Sequence, residues 1–315
     1  MTQPPPKKFV PVMITPFTSQ SAIDLYALSE LTDFYRSAGV DGFFANCLSS
    51  EMFSISETER LELTRHVVDQ VNGALPVVAT GSFGVTLEER AESTRRVYDT
   101  GVDAVIMISS HFALAQESDQ VLTDQLQTLL GLTGSIPLGI YECPAPYKRI
   151  LSPQVFSTLL ASGRMVYHKD TSLVPALVKA KLDLLKASGN QNLEFYDAHT
   201  PNTLFSLGAG ARGMSSISGN FYPEIMSWIC HHLGDPSREE DLQWIQSEIS
   251  RVDPIIHQGY PVSAKYFLQK RGLSLQSLSR SQVYSLSPDQ QRDLDQVYVD
   301  FLGWCDRLGI PVVRP

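Results

Sequence analysis

This 315-residue chain has little cysteine, no basic region and no long apolar run, and each shortage closes off a class of function. Cys47, Cys143, Cys230 and Cys305 stand far apart, in neither a C-x-x-C pair nor a zinc spacing. That fits a reducing compartment better than a disulfide scaffold. No window approaches the roughly 18 consecutive apolar residues of a membrane helix. Lys and Arg number 25 against 34 Asp and Glu, a formal charge of −9, and the only adjacent lysines, Lys7 and Lys8, follow a Pro-rich lead. With no basic patch to hold a phosphate backbone, neither nucleic acid nor a membrane is expected as a partner. The opening MTQPPPKKF lacks the apolar core of a secretory leader, so the expected location is the cytoplasm. A low-complexity linker and a short internal repeat are also missing.

What is present is an ordinary globular composition, 43% hydrophobic and 19% charged, on a length that suits one barrel of about 250 residues with an added segment. Short apolar runs recur at 9–14, 42–45, 75–79, 104–108, 136–141, 165–167, 193–196 and 213–217. Helical patterns lie between them. Ser56 with Glu59 and Thr86 with Glu89 open two of these as capping boxes, and Gly39, Gly101 and Gly163 stand where helices would stop. Strands alternating with helices imply a parallel sheet, and eight units close it into an α/β (βα)₈ TIM barrel over residues 1–225. Beyond it, helical patterns at 223–233, 238–256, 261–271 and 288–308 have no strands between them. A C-terminal helical region, 226–315, is therefore expected to pack on the barrel.

Active groups of such barrels stand at the C-terminal ends of strands. The most informative end is Met165-Val166-Tyr167-His168-Lys169-Asp170-Thr171-Ser172. A lysine partly desolvated by barrel walls has its pKa lowered and attacks a carbonyl carbon as the free base, giving a Schiff base. The plain alternative is a solvated lysine at the end of a surface strand. The other ends are 46–51, 109–112, Tyr141 with Glu142, and 198–200.

These segments carry a resemblance. Cys47-Leu48-Ser49-Ser50-Glu51-Met52-Phe53-Ser54-Ile55-Ser56 resembles the Gly-Thr-Thr-Gly-Glu-x-x-x-Leu-Ser signature of the dihydrodipicolinate synthase and N-acetylneuraminate lyase family. Thr15-Pro16-Phe17 is similar to its opening, Ile140-Tyr141-Glu142-Cys143-Pro144 to its Leu-Tyr-Asn-x-Pro, and His168-Lys169-Asp170-Thr171 to its Ile-Lys-Asp-Ser/Thr. The stretch from Gly208 to Asn220 is similar to its Gly-Ala-x-Gly-x-Ile-Ser-x-x-x-Asn. The motifs keep their order over about the first 225 residues.

The resemblance implies a class I aldolase or lyase that binds a 2-oxo acid, usually pyruvate, as an imine on Lys169, with no metal and no cofactor. It implies Tyr141 as proton carrier, and Ser49 and Ser50 with their N–H groups as holders of the keto acid's carboxylate. Glu51 reads as structural, supporting the amino end of the next helix. Thr171 is either a substrate contact or a plain helix cap. Ser216, at the end of the eighth run, is counted among the binding residues. A homodimer or homotetramer is the assembly implied.

Departures from the pattern are equally specific. Leu48 and Phe112 fall where the synthases carry two relay hydroxyls, and neither can pass a proton. Pro146 falls on the arginine that gathers the second substrate's carboxylate, with Lys148 and Arg149 nearby. Ala198-His199-Thr200-Pro201 replaces the acidic segment of polyol-binding members. His111, Glu142 and His199 are the local substitutes, with Glu142 favoured as acid or base because it adjoins Tyr141. Such a group suits a dehydratase, so the first reading is a lyase or dehydratase of a sugar-acid-like 2-oxo acid. The second is an aldolase joining pyruvate to an aldehyde, where Leu48 and Phe112 suit an apolar acceptor. The third is a 2-oxo-acid-binding regulatory protein without turnover. No His and carboxylate set with metal-ligand spacing is expected at the strand ends.

Overall fold

The structure, a computed structural model, describes residues 6–315. Its strands are β1 Lys8–Phe9, β2 Phe43–Asn46, β3 Val77–Thr80, β4 Ala104–Ile108, β5 Leu138–Tyr141, β6 Met165–Asp170, β7 Glu194–Asp197 and β8 Gly213–Met214. All pair in parallel in the order β1-β8-β7-β6-β5-β4-β3-β2. The two ends meet where Val12 bridges Phe44. Phe44 N donates to the Pro11 carbonyl and Met13 N to the Phe44 carbonyl, both at 3.1 Å. The expected (βα)₈ barrel is the observed fold. Its first strand is shorter than the 9–14 run because Pro11 has no N–H to give the ladder.

Helices α1 Leu25–Ser37, α2 Glu57–Val71, α3 Leu87–Tyr98, α4 Asp119–Leu132, α5 Pro153–Ala161, α6 Pro175–Ser188, α7 Thr203–Ala209 and α8 Pro223–His232 follow the strands in turn. Both capping boxes form, at Ser56 with Glu59 and Thr86 with Glu89. Helices α9 Glu239–His257, α10 Val262–Lys270 and α11 Pro288–Leu308 complete the chain. Helix α8 packs on β1 and β8 as the eighth barrel helix, so the boundary expected at 225 falls inside it. Among the described residues no helix is long and apolar enough to cross a membrane.

Two apolar cores result. One lies between the strands and the helices, and the other fills the barrel with Val10, Val12, Phe44, Ile106, Tyr141, Tyr167 and Tyr196 among its members. Tyr167 stacks on Tyr196 at 4.6 Å between centroids, and Phe44 meets Tyr141 and Tyr167 edge-on at 5.8 and 5.9 Å. Gly139 makes room for this layer: a Cβ there would stand 2.7 Å from that of Tyr167. The aromatic layer plugs the barrel, and the cavity above it opens toward the C-terminal strand ends.

Candidate active site

That cavity, of about 420 Å³, has Lys169, Tyr141 and Ser215 in its lining. Strand β6 runs through Asp170, past the expected run, and the two-residue period turns Tyr167 and Lys169 inward while His168 and Asp170 face the helices. Lys169 is 3% exposed. Its Nζ sits 4.6 Å from the ring centroid of Tyr141 and 5.4 Å from that of Phe44. Burial draws the ammonium down to about 8, against a weaker opposing pull from the Cys47 and Cys143 thiols. The amine is thus a buried group at the cavity floor and not a solvated surface lysine. Burial, followed by the nearby Cys143 and Cys47 thiols, raises Tyr141 well above the ordinary phenol value, so its hydroxyl stays protonated.

The loop after β2 forms one wall. Ser49 lines the cavity, but Ser50 does not. The Ser50 hydroxyl oxygen accepts from Cys47 N at 3.0 Å and lies 2.6 Å from the Met13 carbonyl. Its expected role as a ligand-binding hydroxyl is therefore corrected: Ser50 locks the turn. Glu51 is structural, as expected, for a different reason. Helix α2 has its own cap at Ser56. The Glu51 carboxylate instead accepts from Lys265 Nζ at 2.8 Å, from the Ser279 hydroxyl at 2.8 Å, and from the N–H groups of Arg280 and Ser281 at 2.6 and 2.8 Å. These bonds fasten the cavity loop to the C-terminal helical region.

The favoured role of Glu142 is also corrected. Next to Tyr141 on an extended backbone, its side chain points to the opposite face, and it is fully buried away from the cavity. Its carboxylate bonds Lys181 of α6, accepts from Leu151 N at 2.9 Å and from Thr171 N at 3.1 Å. Lys181 Nζ also lies 2.7 Å from Asp170 Oδ2. His168 completes the group, 3.8 Å from Glu142 and 3.9 Å from Asp170. Glu142, His168 and Asp170 thus do bring three potential metal ligands together, contrary to the expected lack of such a set, and the Lys181 ammonium is the cation among them. Thr171 lines the cavity, and its hydroxyl donates to the Glu142 carbonyl. It caps no helix, since α6 starts after Val174 without a side-chain cap.

His111 and His199 fall outside the cavity lining. His111 packs edge-on to Phe53 and Phe83, its Nδ1 lies 2.6 Å from the Ser82 carbonyl, and burial lowers it to about 4. His199 turns its ring from the wall, which Ala198 supplies instead. Phe112 is buried in the outer core, whereas Leu48 faces the cavity. Ser216 is in the lining, with its hydroxyl 2.5 Å from that of Ser218. Of the two nearby cations, Arg149 is turned away to Asp119, while Lys148 lines the cavity and donates to the Thr171 carbonyl at 2.8 Å. No carboxylate among the described residues pairs with Lys148. Tyr260, from the turn between α9 and α10, lines the cavity too, and no sequence motif singled it out.

Comparison with known proteins gives a consistent set of relatives. The model of the dihydrodipicolinate synthetase family matches residues 5–299. The 4-hydroxy-tetrahydrodipicolinate synthase of Oceanobacillus iheyensis is 25% identical over 304 residues, 93% of this chain and 97% of that protein. The same enzyme of Bacillus subtilis is 24% identical over 287 residues, 90% of this chain and 94% of that one. The crystal structure of Escherichia coli YagE in complex with pyruvate superposes with a TM-score of 0.84 at 19% identity, covering 94% of this chain and 98% of YagE.

Proposed function

From the premise that this chain belongs to the dihydrodipicolinate synthetase family, whose members are class I lysine Schiff-base aldolases and lyases, we propose that Lys169 forms its imine with pyruvate or a similar 2-oxo acid. The observation that carries this reading is the buried Lys169 amine, lowered to about 8 at the cavity floor beside the protonated Tyr141 hydroxyl. The amine adds to the keto carbon, and the resulting hydroxyl leaves as water with a proton from Tyr141. The protonated imine then accepts the electron pair of a neighbouring C–H or C–C bond, so a carbon–carbon bond forms or breaks next to it without a metal. Ser49 holds the carboxylate. The pyruvate complex of YagE, on the same fold, supports this class of ligand.

With Glu142 sealed behind the strands, the dehydratase reading loses its acid, and the aldolase reading stands first. Leu48, Phe53, Leu173 and Ile217 line the space beyond the imine. They suit an aldehyde with an apolar body better than a polyol.

The test is borohydride reduction with pyruvate followed by peptide mass spectrometry. The reduced adduct is expected on the peptide that carries Lys169, and none on Lys169→Ala. A folded protein that gives no adduct with any short 2-oxo acid would overturn the proposal.

A further inference from the structure

The cavity is a cationic spot on an acidic chain. The protein has a formal charge of −9, yet Glu51 is the one carboxylate in the lining among the described residues. It is already engaged by Lys265 and three donors of the helical region. Against it stand three side chains able to carry positive charge, Lys169, Lys148 and His257.

Two of the three have a counter-charge. His257 has its own carboxylate beside it, with Nδ1 2.8 Å from the Asp253 carbonyl and 3.6 Å from Asp253 Oδ2. Lys169, once an imine, is balanced by the carboxylate of the 2-oxo acid it holds. Lys148 has no such partner. Its ammonium donates to the Thr171 carbonyl at 2.8 Å and makes no ion pair among the described residues. That bond sets the ammonium against the end of β6, two residues beyond Lys169. An ammonium has three N–H groups, so two are left for what enters the cavity mouth. The side chains of Leu48, Phe53, Leu173 and Ile217 in the same lining offer no acceptor. A ligand that fits is therefore apolar along its body and anionic where it meets Lys148. A carboxylate matches a single ammonium, whereas a phosphate group, at about −1.5 to −2, outweighs it.

We propose that Lys148 is a specificity-determining residue that pairs with a carboxylate at the far end of the acceptor, so that the acceptor is an aldehyde acid and the joined product a 2-oxo acid with a second carboxylate. The inference rests on the Schiff-base reading and narrows its apolar acceptor to one with a charged end. Aspartate semialdehyde answers this description poorly, because an ammonium adjoins its carboxylate and the lining has no free carboxylate among the described residues to receive it.

The experiment measures, by titration calorimetry on the full chain, the affinities of 2-oxoglutarate and 2-oxoadipate relative to uncharged-tailed 2-oxohexanoate. Lys148 is exposed at the mouth, so its pair with a carboxylate is partly screened and worth about a fivefold change in affinity. In Lys148→Met the ratio of diacid to 2-oxohexanoate affinity is expected to fall about fivefold, while Lys148→Arg, which keeps the charge, is expected to hold it. Salt at about 1 M should shrink the ratio of the unaltered chain and leave that of Lys148→Met little changed. A ratio that Lys148→Met does not alter, including equal weakening of both kinds of ligand, would overturn the proposal, as would failure of both diacids to bind. The two readings fail separately: a pyruvate adduct on Lys169 with an unaltered ratio would keep the imine and remove the role of Lys148, and a fallen ratio without any adduct would do the reverse.

Discussion

The ammonium of Lys181, reaching from α6, lies 2.7 Å from Oδ2 of Asp170, with neither side chain exposed. The bond puts a fixed cation behind the strand that carries Lys169, on the face away from the cavity. Glu142 shares the same ammonium, so the ends of β5 and β6 are tied together from outside while Tyr141 and Lys169 face each other inside.

Lys181→Met should therefore be costly. It would leave Glu142 and Asp170 as buried carboxylates without their counter-charge, a loss of about 3–5 kcal/mol for a broken buried pair. Urea denaturation at neutral pH measures it. Glu142→Gln should also lower stability yet retain the pyruvate adduct on Lys169. Loss of the adduct at unchanged stability would return Glu142 to the chemistry.

The pH dependence of imine formation follows from the lowered lysine. With the ammonium drawn down to about 8 by burial, the free amine rises from about a tenth at pH 7 to about nine-tenths at pH 9. Initial rates of adduct formation should rise about tenfold across that interval and then level off. An ordinary lysine would climb about a hundredfold over the same range and continue, and that profile would show that burial does not tune this amine.

Tyr141→Phe should separate binding from proton transfer. The imine is expected still to form, more slowly because water must supply the proton that expels the hydroxyl, while exchange of the pyruvate methyl protons with deuterated water, followed by NMR, slows by roughly 10² to 10⁴. An unchanged exchange rate would assign the proton transfer to another group.

The chain is expected to be a poor 4-hydroxy-tetrahydrodipicolinate synthase, although relatives carry that name. Leu48 gives the cavity an apolar wall in place of a relay hydroxyl, and Pro146 offers no guanidinium fork for a second carboxylate. A coupled assay with pyruvate and aspartate semialdehyde should give kcat/KM below about 10⁴ M⁻¹s⁻¹, the lower edge of ordinary enzyme efficiency. A higher value would show that Lys148 or a water replaces the missing groups.

The barrel and its lysine were legible because their signals are local: eight apolar runs, two capping boxes, and a lysine in a motif at one strand end. Glu142 was misread for a reason the sequence itself contained. It follows Tyr141 directly, and consecutive strand residues face opposite sides, so Tyr141 and Glu142 cannot both meet the cavity. Lys181 went unread, although it stands three residues after Val178 and just before Leu182, on the face of α6 that the structure buries. Tyr260 was not legible. Its place in the cavity wall depends on how the helical region folds back over the barrel mouth, which no local pattern in the sequence encodes.

The seam of the barrel has a practical consequence. Between β1 and β2 the backbone ladder is thin, and side chains supplement it: Ser50 Oγ lies 2.6 Å from the Met13 carbonyl, Thr15 Oγ1 donates to the Ser50 carbonyl at 2.7 Å, and Asn220 holds Val12. The atoms that close the cylinder are thus neighbours in sequence of residues that line the cavity, such as Ser49. Anyone redesigning this cavity has more freedom at Leu48, a partly buried lining residue, than at Ser50 or Asn220, where a change would also alter how firmly the barrel is shut.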